Sequence, residues 1–270
     1  MKTVKYEVYR DARGDIYYNI KDNCCHLHFH SKIEILYILS GKKKVTINDN
    51  TRILAEDNIA LSLAYDAHQY ADSADSKQIV LNLPVNLFFD YYEKYGKHSL
   101  CNNFLTDKNL AQMLKPLFYR IIESKDDLYI ASGYCTALLG SLVKHLGLKE
   151  MPEQEKLPLI KEILYYIEEN YKDSPTLGQL ADKFGFSRNY MSHLFNTKVG
   201  TGFSDYMNFV KIRHAADEIN SGNKNITEVC YKHGFGSLAS FYRCFKQHYG
   251  TTPKGAQKKS KKTIKKVASS

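Results

Sequence analysis

The segment from Ile226 to Pro253, ITEVCYKHGFGSLASFYRCFKQHYGTTP, constrains the fold more than any other, because it is written as helix, glycine turn and helix. Val229 and Cys230 give the first helix an apolar face, and His233-Gly234-Phe235 breaks it with a residue that accepts left-handed backbone. In the helix that starts near Ser237, Phe241, Cys244 and Phe245 recur at i, i+3 and i+4 and must face inward. Ala239, Tyr242, Arg243 and Lys246 are thereby turned outward together, which predicts a helix-turn-helix with a basic outer face. The same plan occurs about 50 residues earlier. Thr176 to Gln179 reads as a capping box before a helix carrying Leu177, Leu180, Ala181 and Phe184, and Gly185-Phe186 repeats the turn. Ser187 caps the next helix, where Met191, Leu194 and Phe195 face inward and Arg188, Asn189, Ser192 and His193 stay exposed. Between the pairs, Ser204 to Ile219 spells one longer amphipathic helix that ends at Ser221-Gly222, with Tyr206, Val210, Ala215 and Ile219 available to bury.

Gly234-Phe235, Ser237, Phe241, Arg243 and Phe245-Lys246, followed by Gly250-Thr251-Thr252-Pro253, stand in one fixed register. Leu180-Ala181, Gly185-Phe186-Ser187, Leu194-Phe195 and Gly200 follow it more loosely in the first unit. In this register the stretch from Leu159 to Lys254 resembles the AraC family of transcription regulators, with Lys211 standing where the family usually has Arg and Ala256-Gln257 where it has Tyr-Arg. The resemblance implies a sequence-specific DNA-binding regulator, commonly an activator, and no enzyme. Its expected partners are double-stranded operator DNA, a small effector, RNA polymerase and a second copy of the chain, and no cofactor is expected. Among the outward residues, Arg243 can take a guanine edge bidentately and Asn189 an adenine edge, while Ser192 and His193 are weaker donors and Ala239 reaches only a thymine methyl. Arg188, Ser240 and Lys246 sit nearer the helix flanks, where phosphates are held.

Charge supports a polyanion partner for one half only. Residues 151–270 hold 19 Lys and Arg against 11 Asp and Glu, whereas residues 1–150 hold 19 against 18. No run approaches 18 apolar residues, and MKTVKYEVYR lacks the apolar core of a signal peptide, so no membrane span is expected. The six cysteines, at 24, 25, 101, 135, 230 and 244, show no C-x-x-C spacing and read as reduced thiols in a cytoplasm.

In the N-terminal half, short β-type runs alternate with turn signals: 26–29, 33–39, 44–47, 52–54, 59–63 and 79–83. Six to eight such strands predict a small barrel or double-sheet jelly roll. Gly41 to Lys44 lacks the upstream glycine and the Ser or Thr of a phosphate loop, and reads as a hairpin turn with solvated lysines. His28-x-His30, then Glu34 after three intervening residues and Gly41 after six more, resemble the first metal-binding motif of the cupin family, and His68 falls at the histidine of its second. In that second motif Asp57 is kept, while Glu56, Tyr65 and Asp66 replace the usual Gly, Pro and Gly. Three imidazoles and a carboxylate are a competent set for iron, manganese, nickel or zinc. The same four side chains could instead line a cavity and hydrogen-bond an organic ligand. The AraC resemblance implies the latter, an effector pocket that often takes a sugar, with no metal.

Asn86 to Lys94 reads as a short helix leaving the barrel. Asp107 to Ser124 and Leu128 to Leu146 read as two amphipathic helices, the second with Ile130, Tyr134, Ala137, Leu138, Ser141, Leu142 and His145 on one side and a stripe free to meet a partner subunit. The fold class is therefore a multidomain α and β protein. A cupin-like β-barrel or jelly roll with an αα-hairpin spans 1–149, a polar linker 150–158, and an all-α domain of two helix-turn-helix units joined by a linker helix 159–257. The lysine-rich tail, 258–270, is expected to be disordered. The alternatives are a metal-dependent cupin enzyme with a DNA-binding appendage, and a general architectural DNA protein.

Overall fold

Strand-forming runs in the N-terminal part pair into two sheets that share one apolar interior. The computed structural model describes residues 5–6, 16–20, 24–71, 76–88, 94–95, 98–150, 159–220 and 224–258. The chain divides into two compact units, Met1–Leu157 and Pro158–Ser270. In the first unit, one sheet runs in the order β1 (Lys5–Tyr6), β3 (Cys25–Phe29), β8 (His68–Tyr70), β5 (Lys42–Ile47) and β6 (Asn50–Ala55). The other runs β11 (Phe104–Leu105), β7 (Ile59–Ser62), β4 (Ile33–Ser40), β9 (Lys77–Leu83) and β2 (Tyr17–Asn19). A two-stranded ribbon, β10 (His98–Leu100) with β12 (Leu148–Glu150), completes the strands described. Leu36, Ile38, Ala60 and Val80 of the second sheet and Val45, Ile47, Leu54 and Tyr70 of the first form a single buried cluster, as the double-sheet jelly roll requires.

Six of the twelve strands among the described residues are two or three residues long, which is why sequence patterning yields only six to eight. Strand β4 is buried on both faces. Leu36 and Ile38 enter the sandwich, while Tyr37 points the other way and meets Phe118 at 5.2 Å between ring centroids. Phe118 belongs to helix α1 (Lys108–Glu123), and α1 with α2 (Leu128–Leu146) makes the expected αα-hairpin. Each helix is capped by an aspartate, Asp107 and Asp127, accepting from the backbone two and three residues on. Asp57, in left-handed backbone, accepts hydrogen bonds from the Tyr37 hydroxyl and from Gln112 Nε2 (2.7 Å), fastening α1 to the sheet.

Several expectations are corrected here. The buried face of α2 is Ala131, Cys135, Leu138, Leu139, Leu142, Val143 and Leu146, about one residue around from the expected stripe. Ile130, Ala137 and His145 are exposed instead. Apolar residues surround this helix, so its own periodicity does not choose a face; packing on α1 does. Lys42 to Lys44 lie in β5 rather than in the turn, with Lys43 fully buried between its exposed neighbours because strand residues alternate. The 86–94 segment opens as a 3₁₀ turn, Val85–Leu87, and residues 89–93 lie outside the described residues, as do 151–158 of the linker, 221–223 and 259–270 of the tail. Among the described residues no helix is long and apolar enough to cross a membrane.

The second unit is all-α: α3 (Leu159–Asn170), a 3₁₀ turn (Tyr171–Asp173), α4 (Leu177–Phe184), α5 (Arg188–Leu194), α6 (Phe203–Asn220), α7 (Ile226–Lys232) and α8 (Leu238–Tyr249). Helix α5 runs into a π turn, Phe195–Val199. The linker helix α6 supplies both cores. Tyr206 packs near Phe195 of the first helix pair (5.8 Å), and Ile212, Ala215, Ala216 and Ile219 join Val229, Cys230, Phe235, Phe241 and Phe245 of the second. Ser187 and Ser237 cap α5 and α8 through their hydroxyls, and Thr176 with Gln179 forms a full capping box on α4.

Both turns use a left-handed glycine, Gly185 at φ 74° and Gly234 at φ 76°. Their surroundings differ. A β-carbon on Gly185 would meet nothing within 4 Å, whereas one on Gly234 would lie 2.9 Å from Ser174 Oγ and 3.1 Å from the Lys172 carbonyl. Gly185→Ala should therefore cost only the left-handed penalty of about 1–2 kcal/mol. Gly234→Ala should cost measurably more in urea unfolding of the full chain; equal losses would show that the Ser174 contact relaxes freely.

Candidate functional site

The second unit presents the side chains expected to face outward. Arg188, Asn189 and His193 on α5, and Ala239, Arg243 and Lys246 on α8, are exposed, because Met191 and Phe195 on one side and Phe241, Cys244 and Phe245 on the other turn inward. Ser192 and Ser240 are half-buried. Tyr242 departs from expectation: it is half-buried and packs against the core beside Phe241 rather than standing out with Arg243. The first helix pair of this unit also carries an exposed aromatic pair that patterning did not anticipate, Phe186 stacked on Tyr190 with centroids 4.7 Å apart.

Within the second unit α3, the 3₁₀ turn, α6 and the end of α7 share a buried polar network. Glu168 of α3 accepts from the Arg213 guanidinium and meets His214 Nε2 at 3.0 Å, both on α6. His214 stacks flat on Tyr171 (4.2 Å, 3° between planes), Tyr171 Oη meets His233 Nδ1 at 3.0 Å, and His233 Nε2 meets Glu218 at 2.9 Å. Lys211 Nζ donates to the Gly234 carbonyl at 2.9 Å, so this lysine, standing where the family resemblance expects arginine, fastens the second turn to the linker helix. Burial works to raise the Glu168 carboxyl, but the Arg213 charge and then His214 outweigh it and hold the group at about 2. Burial lowers both His233 and Lys211. Sequence patterning had no access to this network, whose members lie 43 to 65 residues apart between Glu168 or Tyr171 and His214 or His233, and belong to four separate elements.

In the first unit, the four residues with ligand spacing do come together. His28 (β3) pairs in register with His68 (β8), His30 follows the end of β3, and Glu34 enters from β4 of the opposite sheet. All four are buried, and one donor atom from each lies within 4.8 Å of the others. His30 Nε2 is 3.2 Å from Glu34 Oε2, His68 Nε2 is 3.5 Å from Glu34 Oε1, and the Tyr70 hydroxyl donates to the same Oε1 at 2.5 Å. The ring centroid of His68 lies 4.3 Å from that of His28 and 4.9 Å from that of His30. Burial would raise the Glu34 carboxyl, yet His68 and His30 beside it hold it well below the usual range. Tyr70 was not anticipated; as the second residue on from His68 it shares that strand face, a period-2 signal the sequence does contain.

A metal ion fits this donor set. In each ring Nδ1 lies against a backbone carbonyl: His28 on His26 (2.7 Å), His30 on Lys32 (3.2 Å) and His68 on Asp66 (2.8 Å). A carbonyl only accepts, so Nδ1 carries a hydrogen in each ring, and loss of the proton from Nε2 on binding an ion would leave a lone pair there. Outer partners of this kind fix ring orientation in metal sites. The buried Cys135 thiol, by contrast, is pushed up to about 12 and is not a reactive group.

Two family models match the chain: an AraC-like ligand binding domain over residues 19–133, and a helix-turn-helix domain over residues 180–259. Among curated proteins, the probable transcriptional regulator LumQ of Photobacterium leiognathi is 23% identical over 226 residues, 84% of this chain and 89% of that protein. Uncharacterized HTH-type transcriptional regulators of Staphylococcus aureus are 32% identical over 95 residues, 35% of this chain, and the chain spans 13% of their length. Among solved structures, ToxT of Vibrio cholerae with a bound unsaturated fatty acid is similar over 90% of this chain and 93% of that one, at 12% identity and a TM-score of 0.41.

Proposed function

Because the chain belongs to the AraC-type family of transcriptional regulators, with a ligand-binding domain followed by a helix-turn-helix domain, we propose that it recognises specific operator DNA and is switched by a small effector held in its N-terminal sandwich. The observation that carries this reading is the pair of capped helices, α5 and α8, each turning polar donors outward from a shared scaffold on α6. The helices enter successive major grooves about 34 Å, or one turn, apart. Arg243 and Asn189 read base edges, with Ser192, His193 and Ala239 making weaker contacts; Arg188, Ser240 and Lys246 hold phosphates.

By the same family resemblance, the chain activates transcription in the cytoplasm through contact with RNA polymerase and works as a homodimer. Exposed Met113 on α1 and Tyr129 on α2 support the αα-hairpin as the dimer face. A sugar is the effector the family resemblance most readily suggests, while four buried side chains meeting within 4.8 Å suit a smaller ligand.

Competition between the chain's own upstream DNA and random DNA of equal length, at two salt concentrations, tests the reading. A preference of about 10³-fold or more that survives salt is expected; a small preference that collapses with salt would leave only phosphate neutralisation. Arg243→Ala should remove about 1–3 kcal/mol at one base pair and relax specificity there, whereas Lys246→Ala should weaken all sequences alike and reduce the salt slope by about one. A uniform loss for Arg243→Ala would make it a phosphate contact, and an unchanged slope for Lys246→Ala would remove that lysine from the interface.

A further inference from the structure

We propose that the open side of the N-terminal sandwich, where β6 ends one sheet and β11 the other, holds a second ligand site that takes a small hydroxylated carboxylate, anchored by the Arg52 guanidinium. A cleft of about 320 Å³ lies there, lined by Asn50, Thr51 and Arg52 of β6 and by Cys101, Asn102 and Phe104. It shares no residue with the pocket of His28, His30, Glu34 and His68, and none of its six lining residues carries a negative charge. At about 30 Å³ per water it has room for roughly ten water-sized groups, the scale of a sugar acid rather than of a bare ion.

Strand register aims the donors inward. Arg52 pairs with Val45 and Asn50 with Ile47, both core residues, and Leu54 two residues on is buried, so Asn50 and Arg52 stand on the interior face of their strand. They stay exposed because β6 is an edge. The Arg52 guanidinium lies over the Phe104 ring, 5.8 Å from its centroid, which leaves its N–H edge open to a partner. Among the described residues no carboxylate pairs with it, and none accepts from the Asn50 amide beside it. A planar fork of this kind matches a carboxylate bidentately, and the amide suits a neighbouring hydroxyl. The floor is formed in advance. Asn102 Nδ2 donates to the Phe104 carbonyl at 2.9 Å, its Oδ1 accepts from the Phe104 amide at 3.1 Å, and the Cys101 amide donates to the Gly147 carbonyl at 2.9 Å. An inward arginine can serve only to keep another strand from pairing with an edge, but that role requires neither a cleft nor a second donor on the same face.

The test uses the full chain and follows Cys101, an exposed thiol in the cleft, against Cys24, an exposed thiol outside it. The probe is gluconate at constant ionic strength, with sorbitol as its neutral counterpart and sulfate as an inorganic one. Gluconate should slow alkylation of Cys101 by N-ethylmaleimide, about tenfold at ten times its dissociation constant, and leave Cys24 unchanged. Calorimetry reads the same binding without the thiol. Arg52→Gln should weaken binding at least about tenfold, and Arg52→Lys, which keeps the charge and loses the fork, by a smaller factor. No binding at millimolar gluconate by either measurement overturns the site. Equal protection by sorbitol or by sulfate overturns the hydroxylated carboxylate as its ligand. Gluconate binding that is unchanged in Arg52→Gln overturns the anchor, and self-association of that variant would then assign Arg52 to guarding the edge strand.

Discussion

Glu168→Ala is expected to destabilise the helical unit by about 3–5 kcal/mol, the cost of leaving one member of a buried ion pair without its partner. Arg213 stays buried when the carboxylate is removed, and the imidazole of His214 loses the group that orients it against Tyr171. Because α3 and α6 meet through this carboxylate, operator affinity should fall along with the urea midpoint. The same residue gives a pH dependence of definite sign. Its carboxyl lies near 2 in the folded chain against an ordinary 4.5, so folding favours the ionised form. The contribution is fully present above about pH 4.5 and is lost as pH falls toward 2, an effect of roughly 3 kcal/mol at about 1.4 kcal/mol per unit. A Glu168→Gln variant should lose that acid dependence; an identical acid profile in both proteins would assign it to other carboxylates.

Phe241→Ala is the second large loss, again about 3–5 kcal/mol, from transfer and from the cavity left behind. Its fully buried ring stands 5.2 Å from Phe235 and 5.9 Å from Phe245, in a cluster drawn from α6, α7 and α8. The neighbouring Ala239 is exposed two residues away, and Ala239→Ser should change stability by no more than about 0.5 kcal/mol. The contrast separates the face that folds the helix from the face that reads. Comparable losses for the two variants, followed by urea unfolding, would mean that Ala239 is packed in solution.

Helical period and capping made the second unit readable before any coordinates. Phe241, Cys244 and Phe245 are buried where their spacing puts them, Ser187 and Thr176 cap where they were expected, and Ser237 caps the helix expected to start near it. The grouping of His28, His30, Glu34 and His68 was likewise visible as a spacing. What stayed hidden had no period to carry it. Helix α2 is apolar almost all round, so the choice between Ile130 and Ala131 as the buried neighbour fell to α1. Strands of two or three residues leave no alternation to detect, and Lys43 is inside because β5 begins at Lys42, two residues before the expected run, and Lys43 shares the face of Val45 and Ile47. The Glu168–Arg213–His214–Tyr171–His233 chain is a product of three-dimensional packing among distant segments, and no local signal announces it.

The unequal crowding of the two glycine turns bears on how such a protein acquires new targets. Around Gly185 there is open space, and the adjoining Phe186, Arg188, Asn189 and Tyr190 are exposed, so asparagine, which tolerates left-handed backbone, could replace the glycine and its neighbours could drift with little penalty. Around Gly234 the Ser174 hydroxyl, the Lys172 carbonyl and the Lys211 side chain close in from three sides. Evolution, or an engineer building a library, therefore has latitude at the first turn and almost none at the second: under the operator reading proposed above, preference can diversify through one half-site while the other keeps the protein anchored to its ancestral address.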